Sequence, residues 1–371
     1  MTRVDRRQAL KLAFGAGLLP AAGLANAGTA TFNDTTPLRY PLRLGFNENP
    51  WGPGPKARAA VAAALDDGCR YGVDYAMRLI AAIAARENVP GERVCIGSGS
   101  GELLHMLALG WGARSTVTCA WPTFAQLMSF AEKQGATIRR VPLDAALRHD
   151  AAAIAAATPA GTGLVYLCNP NNPTGTVLPG AALRELCLEL AARTLVVVDE
   201  AYMDLVEPGV TESMIDLARG DTNLVVLRTF SKVHGLAGLR IGYAIGRPDL
   251  IKKLRALEMV SPNVLGLAAA TASLGDTEFI AQSREYIIAD RRRVTAACRE
   301  LGMECSDSQG NFLFVRTGVP IAEFRVQMKN RGIDVGRPFE PLTDWCRISL
   351  GRTAENTALI NALRNFKGAR A

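Results

Sequence analysis

The segment LVVLRTFSKVHGLAGLR, residues 224–240, begins with four apolar residues and continues into a polar, glycine-spaced stretch. Four consecutive apolar residues bounded by polar ones predict a strand buried on both faces, at Leu224–Leu227. Lys232 follows this strand between hydroxyl residues and an apolar stretch that ends at Arg240. Most lysines are solvated surface charges, but a lysine held at a strand end beside an anion site suits covalent chemistry with a carbonyl. The segment therefore favours an α/β fold whose chemistry lies at the ends of its strands.

Apolar runs of this kind alternate with helical stretches along the first two thirds of the chain. Strands are predicted at Val94–Ile96, Thr116–Ala120, Ile138–Val141, Gly163–Leu167, Thr194–Val198, Leu224–Leu227 and Ile241–Ile245. Helices are predicted at Lys56–Leu65, Tyr75–Arg86, Glu102–Leu109, Phe124–Lys133, Gly180–Ala192 and Pro248–Met259. The alternation predicts βαβ units and a seven-stranded, mostly parallel sheet.

The pattern changes after about Pro262, where a long helical tract runs to Leu301. Strands at Asn311–Arg316, Asp334–Gly336 and Arg347–Leu350 follow, with a helix at Ile321–Arg331 and another at the end of the chain. This pattern predicts a smaller α+β domain over residues 266–371. The large domain is then expected over residues 51–265, with residues 28–50 forming an arm that packs with the smaller domain.

Composition excludes several classes of protein. Hydrophobic residues make up 49% of the 371 residues, which is enough for a sizeable core and excludes disorder. The chain has three histidines and no Cys-x-x-Cys pair, so a histidine-rich metal centre is excluded and no metal is expected. The eight cysteines are irregularly spaced and are expected to remain free thiols.

The N-terminus has the three parts of an export signal. A basic stretch around Arg6 and Arg7 precedes an apolar run at residues 12–24, and Ala25-Asn26-Ala27 follows. The apolar run is shorter than the roughly 20 residues that span a bilayer. The paired arginines resemble the twin-arginine signal, so residues 1–27 are predicted to direct export to the periplasm. The alternative is a ragged basic N-terminus on a cytoplasmic protein. Part of the +7 net charge lies here, and neither nucleic acid nor, after signal removal, a membrane is an expected partner.

Three further polar segments follow predicted strands. Gly97-Ser98-Gly99-Ser100-Gly101-Glu102 leads into a helix and is either a phosphate cradle or a plain tight turn. The second segment, Asn169–Gly175, is either a rigid turn that aims an asparagine into a cleft or an ordinary loop. Asp199 and Tyr202 belong to the third, where a carboxylate after a buried strand calls for a cation or caps a helix.

Taken together, these segments resemble the aspartate aminotransferase superfamily, the fold-type I enzymes that use pyridoxal 5′-phosphate (PLP), and most closely its histidinol-phosphate aminotransferases. The resemblance runs from about Leu42 to Leu363. The motifs that carry it are, in order, Asn47-Glu48-Asn49-Pro50-Trp51-Gly52-Pro53, the Gly/Ser turn, Pro122-Thr123-Phe124, Asn172-Pro173-Thr174-Gly175, Asp199-Glu200-Ala201-Tyr202, Ser231-Lys232 with Arg240, and Arg347-Ile348-Ser349.

The resemblance implies roles around the cofactor ring. Lys232 would hold PLP as an internal aldimine and then move the proton between the substrate and the cofactor. Asp199 would face the pyridine nitrogen and keep it protonated. Asn172 and Tyr202 would donate hydrogen bonds to the phenolate oxygen, and Phe124 would lie on the ring unless it is an ordinary core residue.

The resemblance also implies contacts to the cofactor phosphate and to the substrate. The phosphate would be bound by Ser100, Gly101, Thr229, Ser231 and Arg240. Tyr71 matches a family tyrosine that reaches the phosphate of the neighbouring subunit, although Tyr-Gly replaces the usual Tyr-Pro, and this match implies a homodimer with shared active sites. The substrate would be bound by Asn47 and by Arg347, which would clamp its carboxylate. Arg337 would bind a second anionic group or remain a solvated loop residue.

The implied function is a PLP-dependent aminotransferase acting on an amino acid, or a histidinol-phosphate-like amine, and a 2-oxo acid. The amino donor stays open because Gly45 stands where the family usually has an asparagine. An amino-acid-phosphate decarboxylase of the same fold is one alternative. A non-catalytic protein that keeps the PLP pocket is another.

Overall fold

The structure, a computed structural model, describes residues 36–366. The predicted signal peptide at residues 1–27 lies outside the described residues. The helices are α1 Pro55–Ala63, α2 Val73–Glu87, α3 Ser100–Leu107, α4 Gln126–Lys133, α5 Ala151–Ala156, α6 Gly180–Ala191, α7 Ile215–Arg219, α8 Pro248–Arg255, α9 Val264–Leu274, α10 Thr277–Glu300, α11 Ile321–Lys329 and α12 Thr353–Arg364. The strands are β1 Leu42–Leu44, β2 Val94–Gly97, β3 Thr116–Trp121, β4 Thr137–Pro142, β5 Leu164–Cys168, β6 Leu195–Asp199, β7 Leu224–Thr229, β8 Gly242–Gly246, β9 Phe312–Arg316, β10 Ile333–Val335 and β11 Trp345–Ser349.

Seven strands form the main sheet, in the order β2-β8-β7-β6-β5-β3-β4. Strand β8 runs antiparallel to both neighbours, and the other pairings are parallel. The predicted seven-stranded, mostly parallel sheet is therefore confirmed. Because β2, β3, β5, β6 and β7 run in the same direction, the segments that follow them meet at one edge of the sheet.

Side chains of the central strands alternate between two hydrophobic clusters. On β6, Val196 and Val198 pack into one cluster, while Leu195 and Val197 pack into the other. Strand β5 divides in the same way, with Tyr166 in the second cluster. Burial on both faces explains why these strands read as continuous apolar runs rather than as an alternating pattern.

Two small sheets accompany the main one. Strands β9 and β11 pair antiparallel, and β1 pairs parallel with β10 through Leu42↔Ile333 and Leu44↔Val335. The helical tract expected after Pro262 is two helices, α9 and α10, with a break at Gly275 and Asp276. The carboxylate of Asp276 accepts a hydrogen bond from the backbone N–H of Lys56, which links the break to the start of α1.

Within residues 36–366, no single helix is long and apolar enough to cross a membrane; α9 and α10 meet that test only as a pair, across an 83° bend. The same residues contain no group of three or more side chains arranged to hold a metal ion.

Candidate active site

A cavity of about 620 Å³ lies at the carboxyl edge of the main sheet. It is lined by the last residues of two parallel strands, Asp199 on β6 and Thr229 on β7, and by the start of helix α3. Residues from the small sheets and the arm, such as Arg347 and Asn47, complete the wall. The sheet topology thus brings together segments that are far apart in the sequence.

Lys232 lies on the loop after β7, with its side chain in the cavity. Its Nζ donates a hydrogen bond to the backbone carbonyl of Asn47 at 3.0 Å and lies 5.2 Å from the centre of the Tyr202 ring. Burial and, to a smaller extent, the neighbouring positive charge of Arg347 lower the pKa of this amine to about 8, against the opposing effect of Asp199. A larger fraction of Lys232 is therefore the neutral, nucleophilic amine at neutral pH than for an ordinary lysine.

Asp199 is buried at the end of β6, with an exposed fraction of 2%. Its Oδ2 accepts a hydrogen bond from the Tyr166 hydroxyl at 2.8 Å, and its Oδ1 accepts one from the backbone N–H of Ala201 at 3.1 Å. Burial raises the pKa of Asp199, while these two hydrogen bonds and the charge of Lys232 lower it. A buried carboxylate with lone pairs to spare is suited to hold a protonated ring nitrogen.

Tyr202, Asn172 and Asn47 form one hydrogen-bonded group. The Tyr202 hydroxyl accepts from Nδ2 of Asn47 at 3.0 Å and from Nδ2 of Asn172 at 3.4 Å. The Asn47 carboxamide oxygen also accepts from the hydroxyl of Ser349 at 2.9 Å. Both polar ends of the Asn47 side chain are therefore engaged, and they link the arm to Tyr202, after β6, and to Ser349 on β11.

The start of helix α3 forms a cradle for an anion. Its N-cap, Gly99, has a φ of +81°, and a Cβ at this position would overlap the Arg240 guanidinium. Arg240 donates to the Ser231 hydroxyl at 3.4 Å, and the Ser231 hydroxyl accepts from that of Thr229 at 3.0 Å. Since the first N–H groups of a helix lack partners within it, these N–H groups, two hydroxyls and one guanidinium fit a phosphate.

Arg347 reaches the cavity from β11 and is held on two sides. It donates to the Asn172 carboxamide oxygen at 2.7 Å and to the Gly45 carbonyl at 2.6 Å. Its Nε is buried and has no hydrogen-bond partner among residues 36–366. A buried guanidinium with a spare donor fits a substrate carboxylate.

The structure brings most of the predicted site residues together in this cavity. The following line it: Asn47, Ser100, Gly101, Phe124, Asn172, Asp199, Tyr202, Thr229, Ser231, Lys232, Arg240, Arg337 and Arg347. Tyr71 does not line it and is 97% exposed, so its contact with a neighbouring subunit stays a prediction.

Sequence reasoning missed other residues that line the cavity, among them Arg43, Gln126, Cys168 and Arg325. Gln126 lies only two positions after Phe124, so its place in the segment after β3 could have indicated that it lines the cavity. Arg325 lies in the middle of helix α11, where a lone arginine reads as a solvated surface residue.

The fold and this cavity define a class of enzyme, and comparison with known proteins agrees. Residues 42–363 match the family model of the class I and II aminotransferases, and the chain belongs to that family. It is 39% identical over 331 residues to histidinol-phosphate aminotransferase 2 of Ralstonia nicotianae, covering 87% of this chain and 88% of the relative.

A second relative is the aromatic amino acid aminotransferase of Thermobifida fusca, 36% identical over 326 residues, covering 87% of this chain and 90% of the relative. Among solved structures, histidinol-phosphate aminotransferase from Sinorhizobium meliloti in complex with pyridoxal 5′-phosphate matches with a TM-score of 0.80 and 27% identity, over 88% of this chain and 92% of that one. The protein is therefore a PLP-dependent aminotransferase.

Proposed function

We propose that this cavity holds PLP and a substrate in the following arrangement. Lys232 would bond to the cofactor aldehyde, with loss of water, and Asp199 would face the ring nitrogen. Tyr202 and Asn172 donate to the ring oxygen, and Phe124 lies beside the ring. The phosphate is bound by Ser100, Gly101, Thr229, Ser231 and Arg240. When bound, the cofactor draws electrons from the substrate α-carbon, which makes the proton on that carbon removable.

One observation is the main support for this arrangement. The amine of Lys232, the carboxylate of Asp199 and the guanidinium of Arg347 line a single cavity, although 148 positions separate Asp199 from Arg347. A nucleophilic amine, a buried anion and a cation with a spare donor are the three groups that this chemistry needs.

Lys232 is also the base that moves the proton. Its pKa of about 8 is close to neutral pH, where a general base both accepts and returns a proton efficiently. Arg347 binds the substrate carboxylate through guanidinium N–H groups that Asn172 and Gly45 leave free and, because those two residues hold Nη1 and Nη2 in place, fixes the direction of the α-carbon–hydrogen bond.

The substrate class follows from the charges that line the cavity. Besides Asp199, Lys232 and Arg240, which are assigned to the cofactor, the cavity is lined by Arg43, Arg325, Arg337 and Arg347 and by the two carboxylates of Glu48 and Asp334. Arg43 is paired with Glu48 at 3.0 Å. Arg337 is exposed and lies 4.4 Å from the centre of the Phe339 ring, which leaves its guanidinium near the solvent. We infer that the preferred amine carries a second anionic group at its far end, as histidinol phosphate does.

Arg337→Gln tests this substrate class. We expect kcat/KM for histidinol phosphate to fall about 100-fold, because a charged hydrogen bond to the second anionic group is lost, while kcat/KM for phenylalanine stays within about twofold. Conversion of the bound cofactor to its amine form, followed by absorbance with each amine in turn, measures both values. Arg364→Gln, which removes an exposed arginine on α12, is the matched control. Equal losses for both amines, or no activity of the wild-type enzyme with an amine bearing a second anion, would contradict the substrate class.

The chain also presents a surface suited to a second copy of itself. Large hydrophobic side chains between β1 and α3 are exposed: Leu65 by 62%, Tyr71 by 97%, Val73 by 67% and Met77 by 61%. Exposed apolar clusters of this kind mark association surfaces. We propose a homodimer in which Tyr71 reaches the phosphate of the partner.

Sedimentation equilibrium should give twice the mass of the chain, and Tyr71→Phe should weaken PLP binding. A monomer that binds PLP normally would refute the dimer.

Export by a twin-arginine signal is the remaining proposal, supported by the order of basic, apolar and small residues in the first 27 positions. Cells that express the full chain should carry the activity in the periplasmic fraction, and Arg6→Lys/Arg7→Lys should retain it in the cytoplasm. Unchanged export of that variant would rule out a twin-arginine signal.

A further inference from the structure

Tyr166 is a buried residue that the chemistry described above does not use. It lies on β5, is fully buried, and packs among the apolar side chains on one face of the sheet. Its hydroxyl nevertheless points to a functional group, because it donates to Oδ2 of Asp199 at 2.8 Å. This hydrogen bond to the carboxylate that faces the cofactor gives Tyr166 a role beyond packing in the core.

The strand register explains how this contact forms. Strands β5 and β6 are parallel neighbours in which Tyr166 stands opposite Val197 and Cys168 stands opposite Asp199. Tyr166 therefore lies two residues back from the carboxyl edge, and the length of its ring brings the hydroxyl up to the Asp199 carboxylate. Phenylalanine would fill the same space in the cluster but could not donate the hydrogen bond.

The two oxygens of Asp199 are held by two donors from different directions. Oδ2 accepts from Tyr166, and Oδ1 accepts from the backbone N–H of Ala201 at 3.1 Å. Two such bonds fix the plane of a carboxylate, and each oxygen keeps a lone pair for another donor. Burial disfavours the ionised form of Asp199, and hydrogen bonds to the charged form oppose this effect.

We propose that Tyr166 is a positioning residue for the aminotransferase reaction: its hydroxyl fixes and supports the Asp199 carboxylate that faces the cofactor ring nitrogen. The inference rests on the proposed role of Asp199. Without the hydroxyl, Asp199 holds the ring proton less firmly, and the ring withdraws electrons from the substrate less strongly. The other titratable groups that face Asp199 are Lys232, Glu200, Cys168 and Tyr202. Tyr166→Phe replaces none of them, and of the four only Cys168 also loses a hydrogen bond to the Tyr166 hydroxyl.

The protein contains a matched control. Tyr243, on β8, is also buried and donates from its hydroxyl to a carboxylate, Oε1 of Glu87, at 2.8 Å. Neither Tyr243 nor Glu87 lines the cavity. Tyr243→Phe therefore removes a buried tyrosine–carboxylate hydrogen bond of the same kind from the same sheet, without touching the site.

The experiment compares wild-type enzyme, Tyr166→Phe and Tyr243→Phe by three measurements. For Tyr166→Phe we expect PLP binding to the apoenzyme to weaken about tenfold. We also expect kcat to fall about tenfold while KM for the amino donor stays within about twofold. The visible band of the bound cofactor should titrate about one pH unit higher, because a less firmly protonated ring makes the nitrogen joined to Lys232 more basic.

Tyr243→Phe should match the wild type in all three measurements, even if both variants lose similar thermal stability. The position of the cofactor band is read on folded enzyme only, so a loss of stability alone does not shift it. The inference is overturned if the cofactor band of Tyr166→Phe titrates at the same pH as the bands of Tyr243→Phe and the wild type. A wild-type protein that binds no PLP would instead overturn the proposed function itself.

Discussion

Lys232→Ala is expected to abolish transamination, with kcat reduced by about 10⁴-fold or more, because the variant loses both the covalent attachment and the base. The absorption band of the lysine-bound cofactor should be replaced by the band of the free aldehyde. The phosphate cradle is untouched in this variant, so PLP should still bind, but without a covalent bond. Spectrophotometry and steady-state assays on the same preparations measure both effects.

Lys252→Ala is the control, since it removes an exposed lysine of helix α8.

The lowered pKa of Lys232 also predicts how the rate of PLP capture depends on pH. An amine attacks an aldehyde only when neutral, so the rate at which apoenzyme captures PLP should rise with pH and level off above about pH 8. An ordinary lysine, with a pKa of about 10.4, would keep gaining rate well beyond that point. Retention of the wild-type absorption band, unchanged in position, in Lys232→Ala would exclude Lys232 as the attachment site.

Asp199→Asn is expected to lower kcat by about 10³-fold, because a neutral amide cannot stabilise a positive charge on the ring nitrogen. The asparagine oxygen can still accept from the N–H of Ala201, and its amide nitrogen can donate to the Tyr166 hydroxyl, so the fold should be preserved. Lys232 also remains, and the variant should stay coloured. This combination of colour without turnover separates the role of Asp199 from that of Lys232.

Asp249→Asn is the matched control for Asp199→Asn. Asp249 is an exposed carboxylate that pairs with Arg247 at 2.8 Å, at the start of α8. Its loss should leave kcat unchanged. If Asp199→Asn kept kcat within about fivefold of the wild type, Asp199 would not be the group that supports the ring charge.

The main sheet could be predicted from sequence because its strands are buried on both faces. Runs such as Leu195–Asp199 and Leu224–Thr229 carry their own signal, so their predicted positions agree with the structure to within two residues. Strand β1 was missed because it has only three residues and forms through its pairing with β10, some 290 positions away. Its stability is not a local property of the chain.

The site residues divide in the same way, into those with a local sequence signal and those placed by contacts between distant segments. Residues at or shortly after the ends of buried strands, such as Asp199 and Lys232, could be found from their position in the sequence. The network around Asn47 could not, since its side chain meets Tyr202, 155 positions away, and Ser349, 302 positions away. The hydroxyl of Tyr166 was likewise hidden, because a tyrosine inside an apolar run reads as an ordinary strand residue. Register between β5 and β6 reveals its partner.

The bond between Lys232 and the cofactor aldehyde can be tested directly. Wild-type enzyme saturated with PLP can be reduced with borohydride, which makes that bond permanent, and then digested and analysed by mass spectrometry. We expect one modified peptide, with the added pyridoxyl phosphate mass on Lys232. Modification of a different lysine, or none in a sample that is saturated with cofactor, would contradict it.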